Sequence, residues 1–118
     1  MQLFDTNILI YYLKGNEEIV PFVEEQNNAG ISVITKIELL GRKNLTPAEI
    51  KNLSEFIDTF FIINLDNSIS EKAALLRRNG IKIGDAIIAA TAWHYNATLV
   101  THDQEFKNIK EITVIDPL

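Results

Sequence analysis

Short apolar runs alternate with stripes of helical period along the whole chain. Gln2-Leu3-Phe4 predicts a strand, and after Asp5-Thr6-Asn7 the residues Ile8, Leu9, Tyr12 and Leu13 recur at helical spacing up to Lys14-Gly15. Asp5 and Thr6 are both good helix N-caps, so Asp5 taken alone reads as a cap. A second helix is expected from about Glu17 to Asn28, with Ile19, Phe22 and Val23 inward and Pro21 unsettling its first turn, until Asn28-Ala29-Gly30 stops it. Ile31-Ser32-Val33 predicts another strand. Thr35 to Leu40 then resumes a helical pattern in which Ile34, Ile37 and Leu40 form the apolar face and Glu38 lies beside it.

Thr46-Pro47-Ala48-Glu49 is a capping box with proline at the first helical position, opening a helix whose core stripe is Ile50, Leu53, Phe56, Ile57 and Phe60. Phe61 to Leu65 predicts a buried strand, and Ser68-Ile69-Ser70-Glu71 a second capping box for a helix through Arg78 that Asn79-Gly80 ends. The next helix, from about Gly84 to Tyr95, is apolar nearly all round and therefore buried, yet Asp85 sits in its first turn. An unpaired carboxylate there costs several kcal/mol unless it faces solvent, caps the helix, is paired, or holds a metal. A strand at Thr98 to Thr101, a short helical piece with Asp103 and Phe106, and a strand at Thr113 to Ile115 complete the pattern.

Short apolar strands separated by helices predict a parallel sheet covered on both faces. The expected fold is α/β, a three-layer α/β/α arrangement with a short-stranded, mainly parallel sheet, in one domain over residues 1–118. The chain has no cysteine, which excludes disulfides and thiolate metal sites and fits the cytoplasm. Its start lacks a basic n-region, and its longest apolar run, Ala86 to Trp93, is far short of the roughly 20 residues that span a bilayer. A net charge of -5 argues by itself against a nucleic-acid partner, which ordinarily demands a basic stripe.

Most acids occupy helix starts or solvent faces, but Asp5, Glu38, Asp85 and Asp103 each abut an apolar segment, and Asp5 and Asp103 follow strands. In open α/β sheets ligands bind outside the carboxyl ends of the strands, so Asp5 and Asp103 are candidates for one shared site. Converging carboxylates repel and take up protons unless a divalent cation neutralises them. Oxygen-only donors favour Mg²⁺ or Mn²⁺. His94 and His102 are given no role.

Asp5-Thr6-Asn7, Glu38, Lys82-Ile83-Gly84-Asp85-Ala86-Ile87-Ile88-Ala89 and Thr101-His102-Asp103-Gln104-Glu105-Phe106 resemble the four acidic motifs of PIN-domain nucleases, from first strand to last. In length and motif wording the chain is most similar to the VapC toxins of prokaryotic toxin–antitoxin pairs. The resemblance implies a metal-dependent endoribonuclease in which Asp5, Glu38, Asp85 and Asp103 hold one or two Mg²⁺ or Mn²⁺ ions, which activate water for in-line attack on the phosphodiester. Thr6, Asn7 and Thr101 match positions that could orient those carboxylates, although capping or turn formation serves Asn7 at least as well. Glu105 matches a position where relatives carry another acid, either an optional metal neighbour or plain surface.

A metal would cancel charge at such a site, and Arg42, Lys43, Arg77, Arg78, Lys82 and Lys107, with Lys110, are candidate RNA-phosphate contacts, or else solvated cations at helix ends. The resemblance further implies a homodimer held inactive by a protein antitoxin, for which Tyr11, Tyr12, Ile19 and Phe22 are candidate groove residues if they are not core. Two alternatives stand beside this: a catalytically silent PIN fold that only binds, and another Mg²⁺-dependent phosphate-handling domain. The second is disfavoured because Asn7 stands where a haloacid-dehalogenase phosphatase needs its second aspartate, and Leu3 and Phe4 where a receiver domain needs acids.

Overall fold

The computed structural model describes all residues, 1–118. Five strands, β1 (Gln2–Phe4), β2 (Ala29–Ser32), β3 (Phe61–Ile63), β4 (Thr98–Val100) and β5 (Thr113–Ile115), form one sheet in the order β3-β2-β1-β4-β5. Every neighbouring pair is parallel. Six α-helices, α1 (Thr6–Leu13), α2 (Ile19–Glu24), α3 (Val33–Leu40), α4 (Pro47–Ile57), α5 (Asn67–Arg78) and α6 (Ile83–Tyr95), and a 3-10 helix at Gln104–Asn108 make the crossovers that parallel strands require. No helix is long and apolar enough to cross a membrane.

Side-chain alternation along the strands divides the interior into two cores. Leu3 and Leu99 face α5, α6 and the buried Phe106, whereas Phe4, Ile31 and Val100 face α1, α2 and α4. This is the three-layer arrangement expected from the sequence. The residues Ala86 to Ala92 of α6 are all buried, as its all-round apolar pattern requires.

Several local expectations are corrected. Asn16 Oδ1 accepts from the backbone N–H groups of Glu18 and Ile19, a turn that delays α2 to Ile19, and the helix is shorter than expected at both ends. Ala29 and Gly30, expected to be a breaker, pair with β1 instead, and Val33 belongs to α3 because Ser32 caps that helix by accepting from Ile34 N–H. The buried face of α3 is Thr35 and Leu39, while Ile37 is 59% exposed. In α4 the capping box forms in both directions, but Ile50 lies outside the core. The box expected at Ser68 does not form: Asp66 caps α5 by accepting from Ile69 N–H at 2.8 Å, and Glu71 binds Asn67. Strand β3 is shorter than expected and is not buried, because it is a sheet edge, with Phe61 63% exposed.

A candidate carboxylate metal centre at the switch point

The chain passes from β1 outward to β2 and β3, then returns across the sheet to β4 on the other side of β1. The carboxyl ends of β1 and β4 therefore flank the point where strand order reverses, the place where open α/β sheets bind ligands. Asp5 and Thr101 are the first residues beyond these two strands, and Asp5 N–H donates to the O of Val100, the last residue of β4, at 3.0 Å.

Asp5 occupies the N-cap position of α1, but its side chain makes no capping bond, which corrects the cap reading. The carboxylate of this residue, 3% exposed, instead accepts from the Thr101 hydroxyl at 2.8 Å. Thr101 in turn accepts from Asp103 N–H at 3.0 Å, and Asp103 Oδ1 caps the 3-10 helix by accepting from Glu105 N–H at 2.9 Å. Thr101, fully buried, thus ties the Asp5 turn to the loop bearing Asp103 and Glu105.

Glu38 projects from α3, which begins where β2 ends, and is exposed. The Thr6 hydroxyl donates to Glu38 Oε1 at 2.6 Å and lies 3.0 Å from Thr35 Oγ1. A hydroxyl carries one proton, so both contacts are satisfied when Thr35 donates to Thr6. Glu38 Oε2 also stands so near α6 that a Cβ on Gly84 would lie 3.2 Å from it. Thr35 and Gly84 are the residues that sequence reasoning passed over. Gly84 carried a signal, a glycine in the first turn of a helix that is otherwise almost wholly apolar, whereas Thr35 carried none, because its full burial is set by the tertiary fold.

Asp85 lies in the first turn of α6, where the helix dipole favours negative charge. Asp85, Asp103 and Glu105 each offer a carboxylate oxygen, all within 4.8 Å of one another. At that separation two like charges repel by about 1 kcal/mol in water and about 3.5 kcal/mol at the effective dielectric of a protein surface. Asp85 is accordingly pushed above the ordinary carboxylate range, by burial first and then by Asp103, Glu105 and Glu38, with Lys82 opposing. Asp5 is raised to about 6, by burial first and then by Asp85 and Asp103, against the pull of its Thr101 bond. The closest grouping is therefore Asp85, Asp103 and Glu105, with Asp5 and Glu38 flanking it and coupled to Asp85 through charge. Asn7 is exposed on α1 and bonds to none of these acids.

None of the five acids is in an ion pair; the ion pairs of the structure join His102 and Lys107 to Asp116. Burial raises Asp116, but bonds from Leu118 N–H, His102 and Lys107 outweigh it and hold this carboxyl below its ordinary range. Of the candidate phosphate contacts, Arg42 bonds to Leu39 O and Arg77 to Ile81 O, as cations at helix ends do, and Lys107 is taken by Asp116. Lys43, Arg78, Lys82 and Lys110 are exposed. Among the candidate groove residues Ile19 is wholly buried, whereas Tyr12 stacks on Phe56 at 5.0 Å beside a cleft of about 320 Å³ that also includes Phe60 and Phe61.

A parallel sheet in this order, with acids gathered at its switch point, defines a class, and comparison with known proteins agrees. The PIN domain family model matches residues 3–112, so the chain belongs to the PIN domain family. Solved structures similar to it include a toxin–antitoxin complex from Klebsiella pneumoniae, at 34% identity and a TM-score of 0.87 over 100% of this chain and 98% of that one. A VapBC2 complex from Rickettsia felis bound to promoter DNA follows at 26% identity and TM-score 0.83, covering 98% and 97%. A DNA-bound VapBC from Salmonella typhimurium has 27% identity and TM-score 0.81, covering 99% and 98%. No curated protein matches the chain.

Proposed function

We propose that this chain is a metal-dependent endoribonuclease, the VapC-like toxin of a toxin–antitoxin pair. The observation that carries the reading is the gathering of Asp85, Asp103 and Glu105 within 4.8 Å, flanked by Asp5 and Glu38, with no ion pair to offset them. The donors fit Mg²⁺ or Mn²⁺, since all are carboxylate oxygens and they already lie within 4.8 Å of one another. When bound, one or two such ions supply positive charge to the phosphodiester oxygens and lower the pKa of the attacking water.

The protein's own residues do the rest. Asp85, Asp103 and Glu105 face one another and would hold the ion together with Glu38, whose carboxylate accepts from the Thr6 hydroxyl. Asp5 completes the acidic set from its buried position and is oriented by Thr101. Exposed Lys43, Arg78 and Lys82 meet RNA phosphates, which reconciles the net charge of -5 with a nucleic-acid substrate. The cleft beside Tyr12, Phe56 and Phe60 offers an apolar seat for an antitoxin segment, in a cytoplasmic homodimer of the kind the resemblance implies. Labelled RNA incubated with Mg²⁺ or Mn²⁺ is expected to be cut internally, and EDTA is expected to stop it. Equal cleavage with and without EDTA overturns the reading.

A further inference from the structure

Asp116 lies just past β5 and outside the acidic centre, yet it grips the segment that bears two of the centre's carboxylates at two points. His102 Nδ1 stands 3.0 Å from both Asp116 oxygens, and Lys107 Nζ donates to Oδ2 at 3.2 Å. Asp103 and Glu105 lie between these two grips. The carboxylate is itself held, because Leu118 N–H donates to Oδ1 at 3.0 Å. It lies deeper than the residues it binds, its side chain 18% exposed against 45% for His102 and 39% for Lys107.

The inner side of this segment has other anchors. Phe106 is buried in the core, Thr101 N–H bonds to Ile115 O at 3.0 Å, and the Thr101 hydroxyl holds Asp5. Those anchors fix where the segment runs. Repulsion among the carboxylates, whose oxygens lie within 4.8 Å, pushes Asp103 and Glu105 away from Asp85. On its outer surface Asp116 holds the segment at both His102 and Lys107, and the His102 ring also meets Tyr11 edge-on, with centroids 6.4 Å apart. We propose that Asp116 is a positioning residue, which through His102 and Lys107 holds Asp103 and Glu105 against Asp85 at the spacing a divalent ion requires. The proposal rests on the metal-dependent reading above.

The test is Mn²⁺ affinity, read from the electron paramagnetic resonance signal of free Mn²⁺, with thermal melts in EDTA alongside. Asp116→Ala and His102→Leu are each expected to weaken Mn²⁺ binding about tenfold, the lower end of the usual loss when a group that orients ligands is removed. Their melting temperatures in EDTA should stay close to that of the unaltered protein, since neither residue belongs to either core. His102→Gln retains a side-chain N–H donor and should recover most of the affinity. His102→Leu removes the tether without removing a carboxylate, and its exposed position leaves folding intact, so it decides the matter if Asp116→Ala unfolds. Failure of the unaltered protein to bind Mn²⁺ overturns the metal-dependent reading and the proposal with it. Tight binding by the unaltered protein that His102→Leu leaves unchanged, or that His102→Gln weakens as much as His102→Leu does, overturns the positioning role alone.

Discussion

Replacing Asp5 with asparagine exchanges a carboxylate for a neutral group of the same shape at a site that is 3% exposed. In the folded protein, burial and the charges of Asp85 and Asp103 raise Asp5 from its ordinary 3.8 to about 6. Between these pH values the folded state keeps a proton that the unfolded chain has released, so stability falls as pH rises through this window, the reverse of a salt-bridged aspartate. A pKa that differs by one between the two states corresponds to about 1.4 kcal/mol, so the loss reaches about 3 kcal/mol once the pH exceeds about 6. The asparagine side chain would still offer an oxygen to the Thr101 hydroxyl. In EDTA the Asp5→Asn protein should therefore melt above the unaltered protein by about 12 °C near neutral pH, at about 4 °C per kcal/mol for a chain of this length. At about pH 4 the gain should fall below about 1 kcal/mol, because there most of the unfolded state's advantage is gone. Calorimetric melts across that range, always without metal, measure it. A difference that does not change with pH, or an asparagine variant that is less stable near neutrality, would refute the electrostatic account of Asp5.

Two further outcomes concern the helix that carries Asp85. On the proposed reading Asp85→Asn should lower RNA cleavage by at least about 100-fold, since it would remove a metal ligand rather than a support. Its melting temperature in EDTA should hold or rise, because Asp103, Glu105 and Glu38 no longer face a like charge there; a variant that simply unfolds would mark Asp85 as structural. Gly84→Ala should stabilise α6 by up to about 1 kcal/mol through helix propensity. The added Cβ would stand 3.2 Å from Glu38 Oε2 and displace that carboxylate, so kcat should fall several-fold while the melting temperature rises; an unchanged kcat would show that Glu38 does not depend on a bare glycine beside it.

Strand and helix order were legible because period-2 and period-3.6 patterns are local, and the α4 capping box formed as its four residues specify. Boundaries failed where two local signals competed. Asp66 and Ser68 can both cap α5, and the acidic residue upstream won by adding turn to the helix. On α3 the pattern of Ile34, Ile37 and Leu40 was right for Ile34 and Leu40, which pack against the two cores, and wrong for Ile37; buried Thr35 is satisfied by a hydroxyl partner on α1 that only the tertiary fold supplies. The candidate site was legible as a set of acids, since each of Asp5, Glu38, Asp85 and Asp103 abuts an apolar segment. Its internal order was not. That Glu105 joins Asp85 and Asp103 while Asp5 turns inward to Thr101 depends on the short 3-10 helix and on a side-chain bond between residues 96 positions apart.

The topology explains why so costly a cluster can persist. Crossing from β3 to β4 brings Thr101 next to Asp5, and the hydrogen bonds made there are spread over β1, β4 and the loop after β4. The repulsion among the acids is thus opposed by two hydrophobic cores rather than by any ion pair of their own. A ligand that binds only the folded state adds about 2.7 kcal/mol at a hundred times its dissociation constant. That is close to the loss of about 3 kcal/mol assigned to the ionised Asp5 alone. A divalent ion held at modest affinity would offset a cost of that size, so on the proposed reading the arrangement that makes the metal-free protein less stable is the one that would favour a cation.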